Sequence, residues 1–115
     1  MSSNYSDYII EILSPHGEII ARSMFGGYGI YKNGIIFALI ISDELYFKVD
    51  VSNKSQYEEL DSAPFSYEAK GKKTTMSYWK VPMEILEDED KIGEWLNQSY
   101  EISLRTKRKP KKNNI

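Results

Sequence analysis

Cysteine is absent from the 115-residue sequence, and histidine occurs once. The lack of cysteine excludes disulfide bridges and thiolate zinc sites. It also fits a reducing compartment, and we therefore expect a cytoplasmic protein. The single histidine, His16, lies between Pro15 and Gly17 in a predicted turn, where we expect it to be solvated. No nucleophile and base can be paired around it, so we expect no catalytic residues and no enzymatic activity.

Long apolar runs are also missing from the sequence. The longest one, residues 35–41, has the length of a strand, whereas a membrane-spanning helix needs about 18 apolar residues. The N-terminal segment, residues 1–7, lacks the basic region and apolar stretch of a signal peptide. We therefore expect no membrane contact. The chain length suits one domain.

Positive charge is scarce except near the C-terminus. The formal net charge is −2, with 15 basic and 17 acidic residues. Six of the basic residues fall within eight positions: Arg105, Lys107, Arg108, Lys109, Lys111 and Lys112. The rest of the chain holds nine basic against 17 acidic residues, a net charge of −8. We therefore expect a folded domain over residues 1–104 and a basic, flexible tail over residues 105–115 that can contact DNA.

Hydrophobic periodicity predicts an α+β fold. Apolar residues recur at helical spacing near both ends of the chain, and alternation typical of strands occupies much of the middle. Asn-Gly at residues 33–34 and Gly-Lys at residues 71–72 mark hairpin turns. The expected architecture has two layers, with an antiparallel sheet of about five strands and three helices in the order α-β-β-β-α-β-β-α.

Two segments invite a ligand-binding interpretation that their context does not favour. Gly26, Gly27 and Gly29 lead from one strand into another, whereas a phosphate loop leads into a helix. We expect a β-bulge or a close backbone approach there, and no cofactor. The acidic run over residues 87–90 precedes the last helix, where its carboxylates complement the helix dipole. We expect no metal site.

Aromatic and basic side chains alternate on and beside the predicted strands. Tyr46, Lys48, Tyr67 and Tyr78 are the candidates for a partner-binding face on the side of the sheet without helices. Tyrosines and lysines on a sheet can stack single-stranded nucleic acid, but they are also ordinary cross-strand partners. The net charge of −8 outside the basic C-terminal residues argues against a polyanion ligand and favours the second interpretation. Protein–protein contact, with a still unknown partner, is our first functional interpretation. A nucleic-acid-binding accessory protein that uses the basic tail is the alternative.

An ordered series of motifs resembles the N-terminal domain of the TfoX/Sxy competence regulators. The series runs from residues 22–31 through 37–40, 45–50, 64–67, 70–72 and 76–82 to Trp95. Its structural signature comprises Phe25, Gly26, Gly27, Gly29, Gly34, Gly71, Trp79 and Pro82.

The resemblance implies a two-layer α+β fold of the secretion-chaperone-like kind and a link to the regulation of natural competence. Full-length members of the family act as transcriptional co-regulators with a cyclic-AMP receptor protein. They carry a second, helical domain, whereas only the basic segment follows the match here. The family implies no catalytic residues. Folds of this kind often dimerise, so a homodimer is one expected assembly.

Overall fold

The computed structural model describes residues 4–24 and 26–108. These residues form four α-helices and six β-strands. The helices are α1 (Asn4–Leu13), α2 (Lys54–Glu58), α3 (Met83–Leu86) and α4 (Glu89–Arg108), and a 3₁₀ turn, Ser14–His16, follows α1. The strands are β1 (Ile19–Met24), β2 (Gly27–Lys32), β3 (Ile35–Ile41), β4 (Glu44–Lys48), β5 (Pro64–Ala69) and β6 (Lys72–Lys80).

The strands form one antiparallel sheet in the order β1-β2-β3-β4-β6-β5. The predicted α+β class and antiparallel sheet are confirmed, with six strands instead of about five and four helices instead of three. The additional strand arises because the β-prone segment before residue 32 turns at Gly26, whose φ is +79°. The additional helix, α3, is a single turn that begins directly after Pro82.

Tight turns set the register of the sheet. Asn33 and Gly34 both have positive φ, as a primed hairpin turn between β2 and β3 requires. Lys70 and Gly71 do the same between β5 and β6. The two hairpins predicted from the glycines are therefore present.

The glycines before and within β2 allow close approach of neighbouring chain segments. A Cβ at Gly27 would lie 2.1 Å from the carbonyl oxygen of Ile40, and one at Gly29 would lie 2.9 Å from Cδ1 of Ile36. The glycine segment thus serves the strand pairing, as the sequence predicted. Phe25, which belongs to the same signature, lies outside the described residues.

All four helices pack on one side of the sheet. Their buried side chains join those of β3 and β4 in one core, which includes Ile9, Tyr57, Ile85 and Trp95. Tyr57 lies against Trp95, with ring centroids 4.4 Å apart, and burial raises its pKa.

Core contacts on the sheet include one irregular position. Phe37 contacts Phe47, with ring centroids 5.7 Å apart. The β2–β3 register shifts between Ile30 and Tyr31, which leaves Phe37 without a paired residue opposite and lets its ring face the core. The other side of the sheet carries no helix among the described residues.

Helix α4 continues past the expected domain boundary at residue 104 and ends at Arg108. Arg105, Lys107 and Arg108 are therefore helical. Lys109, Lys111 and Lys112 lie outside the described residues.

Candidate partner-binding face

The outer face of the sheet is the side turned away from the helices. On β4 and β6, Phe47 pairs with Trp79 toward the core, so the adjacent pairs Tyr46–Lys80 and Lys48–Tyr78 lie on the outer face. Three of the four residues predicted for a partner surface are thus on one face by strand register alone.

Three aromatic side chains form a continuous row across this face, which we call the aromatic row: Tyr46, Phe65 and Tyr67. The Tyr46 and Phe65 rings meet edge-on at 5.4 Å, and Phe65 stacks on Tyr67 at 6.1 Å. Tyr67 is 46% exposed, and the other two are partly buried. Through Phe65, the row connects the fourth predicted residue, Tyr67, to Tyr46. The sequence analysis did not single out Phe65.

Lys48 and Tyr78 form a cross-strand pair. The Lys48 Nζ lies 5.0 Å from the centroid of the Tyr78 ring and donates a hydrogen bond to Oγ of Ser77 at 2.8 Å. Burial lowers the pKa of Lys48, while the nearby carboxylate of Asp50 acts in the opposite direction. Tyr78 is 8% exposed, and burial raises its pKa. It therefore lies on the outer face but offers little surface to a partner.

Other charged groups frame the aromatic row and the Lys48–Tyr78 pair. Lys80 forms an ion pair with Glu44 at 3.1 Å next to Tyr46, whose pKa is raised by partial burial and by Glu44. Toward the β1 edge of the same outer face, Cζ of Arg22 lies 5.8 Å from the centroid of the Tyr31 ring. Tyrosines on this face are therefore accompanied by cations, an arrangement that suits contact with an acidic or aromatic partner surface.

The basic residues of α4 are partly engaged within the domain. Arg105 forms an ion pair with Asp50 at 3.4 Å. Burial would raise the pKa of Asp50, but hydrogen bonds from Ser52 and the charge of Arg105 lower it on balance. One of the six cations expected to contact DNA thus has an acidic partner in the fold.

His16 is partly buried, contrary to the expected solvated turn. Its imidazole packs against Gly93 of α4, where a Cβ would lie 2.5 Å from both Cε1 and Nδ1. The ring fits against α4 because Gly93 has no side chain. Residues 16 and 93 are far apart along the chain, so the local sequence could not indicate this contact.

Residues 87–90 are organised as a helix start. Oδ1 of Asp88 accepts hydrogen bonds from the backbone N–H groups of Asp90 and Lys91. This is the N-cap arrangement expected at the positive end of a helix. Among residues 4–24 and 26–108, no group of three or more histidine and acidic side chains is placed to hold a metal ion. No helix in the same ranges has the length and apolar character needed to span a membrane.

A side-chain cluster that the sequence analysis missed lies at the end of β4. Oδ1 of Asn53, a buried residue, accepts a hydrogen bond from the backbone N–H of Asp50. Oγ of Ser99, also buried, donates to the carbonyl of Lys48 at 2.8 Å. The signal in the sequence was Ser99, a polar residue on the apolar, core-facing stripe of α4. Its hydrogen bond joins the end of β4 to that helix.

The described residues form a small α+β domain, with a six-stranded sheet, helices on one side and an aromatic outer face. The TfoX N-terminal domain family matches residues 11–103. The chain belongs to this family.

Two curated relatives share this region at low identity. Protein Sxy of Escherichia coli (strain K12) is 24% identical over 97 residues, which cover 84% of this chain and 46% of that protein. DNA transformation protein TfoX1 of Aliivibrio fischeri (strain ATCC 700601 / ES114) is 27% identical over 79 residues, 69% of this chain and 38% of that protein. The matched region spans less than half the length of either relative.

Proposed function

We propose that this domain is a non-enzymatic regulatory module that acts through protein–protein contact on the outer face, in a process related to DNA transformation. The aromatic row carries the proposal, because three aromatic rings, each in contact with the next, lie on the side of the sheet turned away from the helices. Aromatic side chains are enriched where proteins bind one another. Membership of the TfoX N-terminal domain family and the name of the relative, DNA transformation protein TfoX1, support the link to DNA transformation.

The net charge supports a protein partner over a polyanion for the domain outside the six C-terminal cations. The chain outside those six cations carries a net charge of −8. Within the basic group, Arg105 is paired with Asp50. A nucleic acid would have to be held by the remaining cations near the C-terminus. DNA contact there is the alternative proposal, and it is separable from the outer face by truncation.

A photo-crosslinking amino acid at position 67 tests the proposed partner face. The matched control places the same amino acid at position 8 on α1, because Tyr8 is 43% exposed and Tyr67 is 46% exposed. We expect illumination of living cells to give a discrete adduct from position 67 and a weaker one, or none, from position 8. An adduct with twice the mass of the chain identifies a homodimer, and another mass identifies a different protein. Equal yields from both positions, or no adduct from position 67, would overturn the proposal.

A further inference from the structure

The two edges of the sheet differ in how they are protected against pairing with another strand. At one edge, β5 begins at Pro64, and its register with β6 shifts between Pro64 and Ser66. Proline and bulges are among the features by which proteins block the addition of a strand to a sheet. At the other edge, β1 contains no proline and pairs with β2 along its whole length without a shift. The β1 edge is therefore the one that can accept a further strand.

The backbone of β1 has hydrogen-bonding groups that its pairing with β2 does not use. In an antiparallel pair, every second residue turns both its N–H and its C=O away from the partner strand. Among residues 4–24 and 26–108, the backbone of residues 19–24 makes no backbone hydrogen bond outside the pairing with β2. An extended polypeptide is the partner whose own N–H and C=O groups match such an edge.

The exposed side chains of this edge are arranged symmetrically around Ile20. Ile19 and Ala21 pack against the core, so the alternation of a strand places Ile20 and Arg22 on the outer face. Ile20 is 51% exposed, an unusual position for a large apolar side chain. Glu18, directly before the strand, and Arg22 are both exposed and lie equally far from Ile20 along the chain. An acid, an apolar residue and a base thus follow one another at alternate positions.

This pattern is complementary to itself when two copies of the strand run antiparallel. With a twofold axis at Ile20, the two Ile20 side chains lie opposite each other, and Glu18 of each copy lies opposite Arg22 of the other. Apolar pairs and oppositely charged pairs are both favourable across strands. Toward the helices, the same register places Ile19 opposite Ala21, two half-buried apolar residues. An axis at Arg22 would instead oppose two like charges, which is destabilising.

We propose that β1 pairs with β1 of a second copy of this chain, antiparallel about Ile20, so that the two six-stranded sheets join into one continuous sheet. The same surface serves both copies, as in other dimers with twofold symmetry. One strand pair is small beside the ~800 Å² per partner of a standard interface, so we expect a reversible dimer that depends on protein concentration. The aromatic row lies on β4 and β5, toward the other end of the sheet, and this dimer would leave it open.

Disulfide trapping tests the register, because the chain has no cysteine and Ile20→Cys introduces a single thiol. Opposed residues of an antiparallel pair have Cα atoms ~4.5–5.5 Å apart, a distance that a disulfide can span. We expect mild oxidation of the full chain to give a covalent dimer from this variant. Ser23→Cys should react much more slowly, since its thiols would lie ~20 Å apart in this register. Ala69→Cys, at an exposed position of the β5 edge, is the second control. Trapping at position 20 that is no faster than at position 23 or 69 would overturn the proposal.

Exchange of the two charges tests the ion pairs between copies. Glu18→Arg or Arg22→Glu alone makes both cross-strand pairs repulsive, and each should weaken self-association severalfold in sedimentation velocity over a concentration series. The double exchange should restore it. Such rescue requires contact between chains, because positions 18 and 22 of one extended strand lie ~13 Å apart.

Tyr67→Ser, which alters the aromatic row, is the matched control and should leave self-association unchanged. Absence of self-association in the unaltered chain, no rescue by the double exchange, or loss of the dimer in Tyr67→Ser would overturn the proposal. The β1 edge does not include the aromatic row, so failure of the first two kinds would leave the partner-face proposal standing.

Discussion

The two sides of the sheet carry the same kinds of side chain in different settings. Toward the helices, Phe37, Phe47, Tyr57 and Trp95 are buried in one core. On the outer face, Tyr46, Phe65 and Tyr67 contact one another but remain partly exposed, with lysines and an arginine on the same face. Adjacent residues of one strand therefore serve different ends. The inner aromatic residues stabilise the domain, and we propose that the outer ones contact a partner.

Adjacent positions in β4 give the sharpest test of this difference. Phe47 is 0% exposed, and Phe47→Ala should lower the free energy of unfolding by about 3–5 kcal/mol through lost burial and a cavity. Tyr46→Ala, on the opposite side of the same strand, should cost about 1 kcal/mol. Urea denaturation followed by circular dichroism measures both. Similar losses would show that the outer face is part of the stabilising core.

The backbone of β2 approaches β3 closely at Gly27. Gly27→Ala would place a Cβ 2.1 Å from the carbonyl oxygen of Ile40, and we expect a loss of about 3 kcal/mol as the strands shift. Gly34→Ala is the control, since no atom lies within 4 Å of its Cβ position and only the positive φ opposes the substitution. It should cost about 1 kcal/mol. Thermal unfolding of the two variants compares them, and a smaller loss at position 27 would refute the close approach.

Alkaline pH should lower the free energy of unfolding through Tyr57, which is buried between the sheet and the helices. Burial raises the pKa of Tyr57 above the 10.0 of a free tyrosine, so the unfolded chain loses this proton at a lower pH than the folded one. The stabilisation is therefore fully present below pH 10.0 and declines as the pH rises above it.

Melting temperatures measured between pH 8 and pH 11 should show that decline. Tyr57→Phe, which cannot ionise, should flatten the pH dependence, although Tyr5 and Tyr78, with pKa values also raised by burial, will leave part of it. A pH dependence as steep in the variant as in the unchanged chain would contradict the assignment to Tyr57.

The smallest effect on stability is expected at the exposed end of the aromatic row. Tyr67→Ser and Tyr8→Ser should each change the free energy of unfolding by about 0.5 kcal/mol or less, because both rings are substantially exposed. Chemical denaturation of the pair measures this. A loss of several kcal/mol at position 67 alone would mean that its ring supports the fold, and the variant could not then report on partner binding.

Hydrophobic periodicity and turn-forming residues predicted the fold class, because each of these patterns depends on residues close together in the sequence. The Asn33-Gly34 and Lys70-Gly71 turns and the alternation around Phe47 each lie within a few residues. The same local evidence missed the division at Gly26, since a positive φ at one glycine is set by pairing with β2.

The sites were less predictable for the same reason. Strand register could be inferred well enough to put Tyr46 and Lys48 on one face, but the burial of Tyr78 and the addition of Phe65 depend on neighbours far along the chain. The β2–β3 hairpin also contacts α4, where Asn33 donates a hydrogen bond to the hydroxyl oxygen of Tyr100 at 3.4 Å, and no sequence spacing shows such a contact.

The central claim is that the outer face, and not the basic C-terminus, binds the partner. The most direct test combines the crosslinking amino acid at position 67 with a chain that ends at Arg108, which retains all of α4 and its Arg105–Asp50 ion pair. The account predicts the same adduct, at a similar yield, from the full and the shortened chain. Loss of the adduct on shortening would contradict it and assign partner binding to Lys109, Lys111 and Lys112.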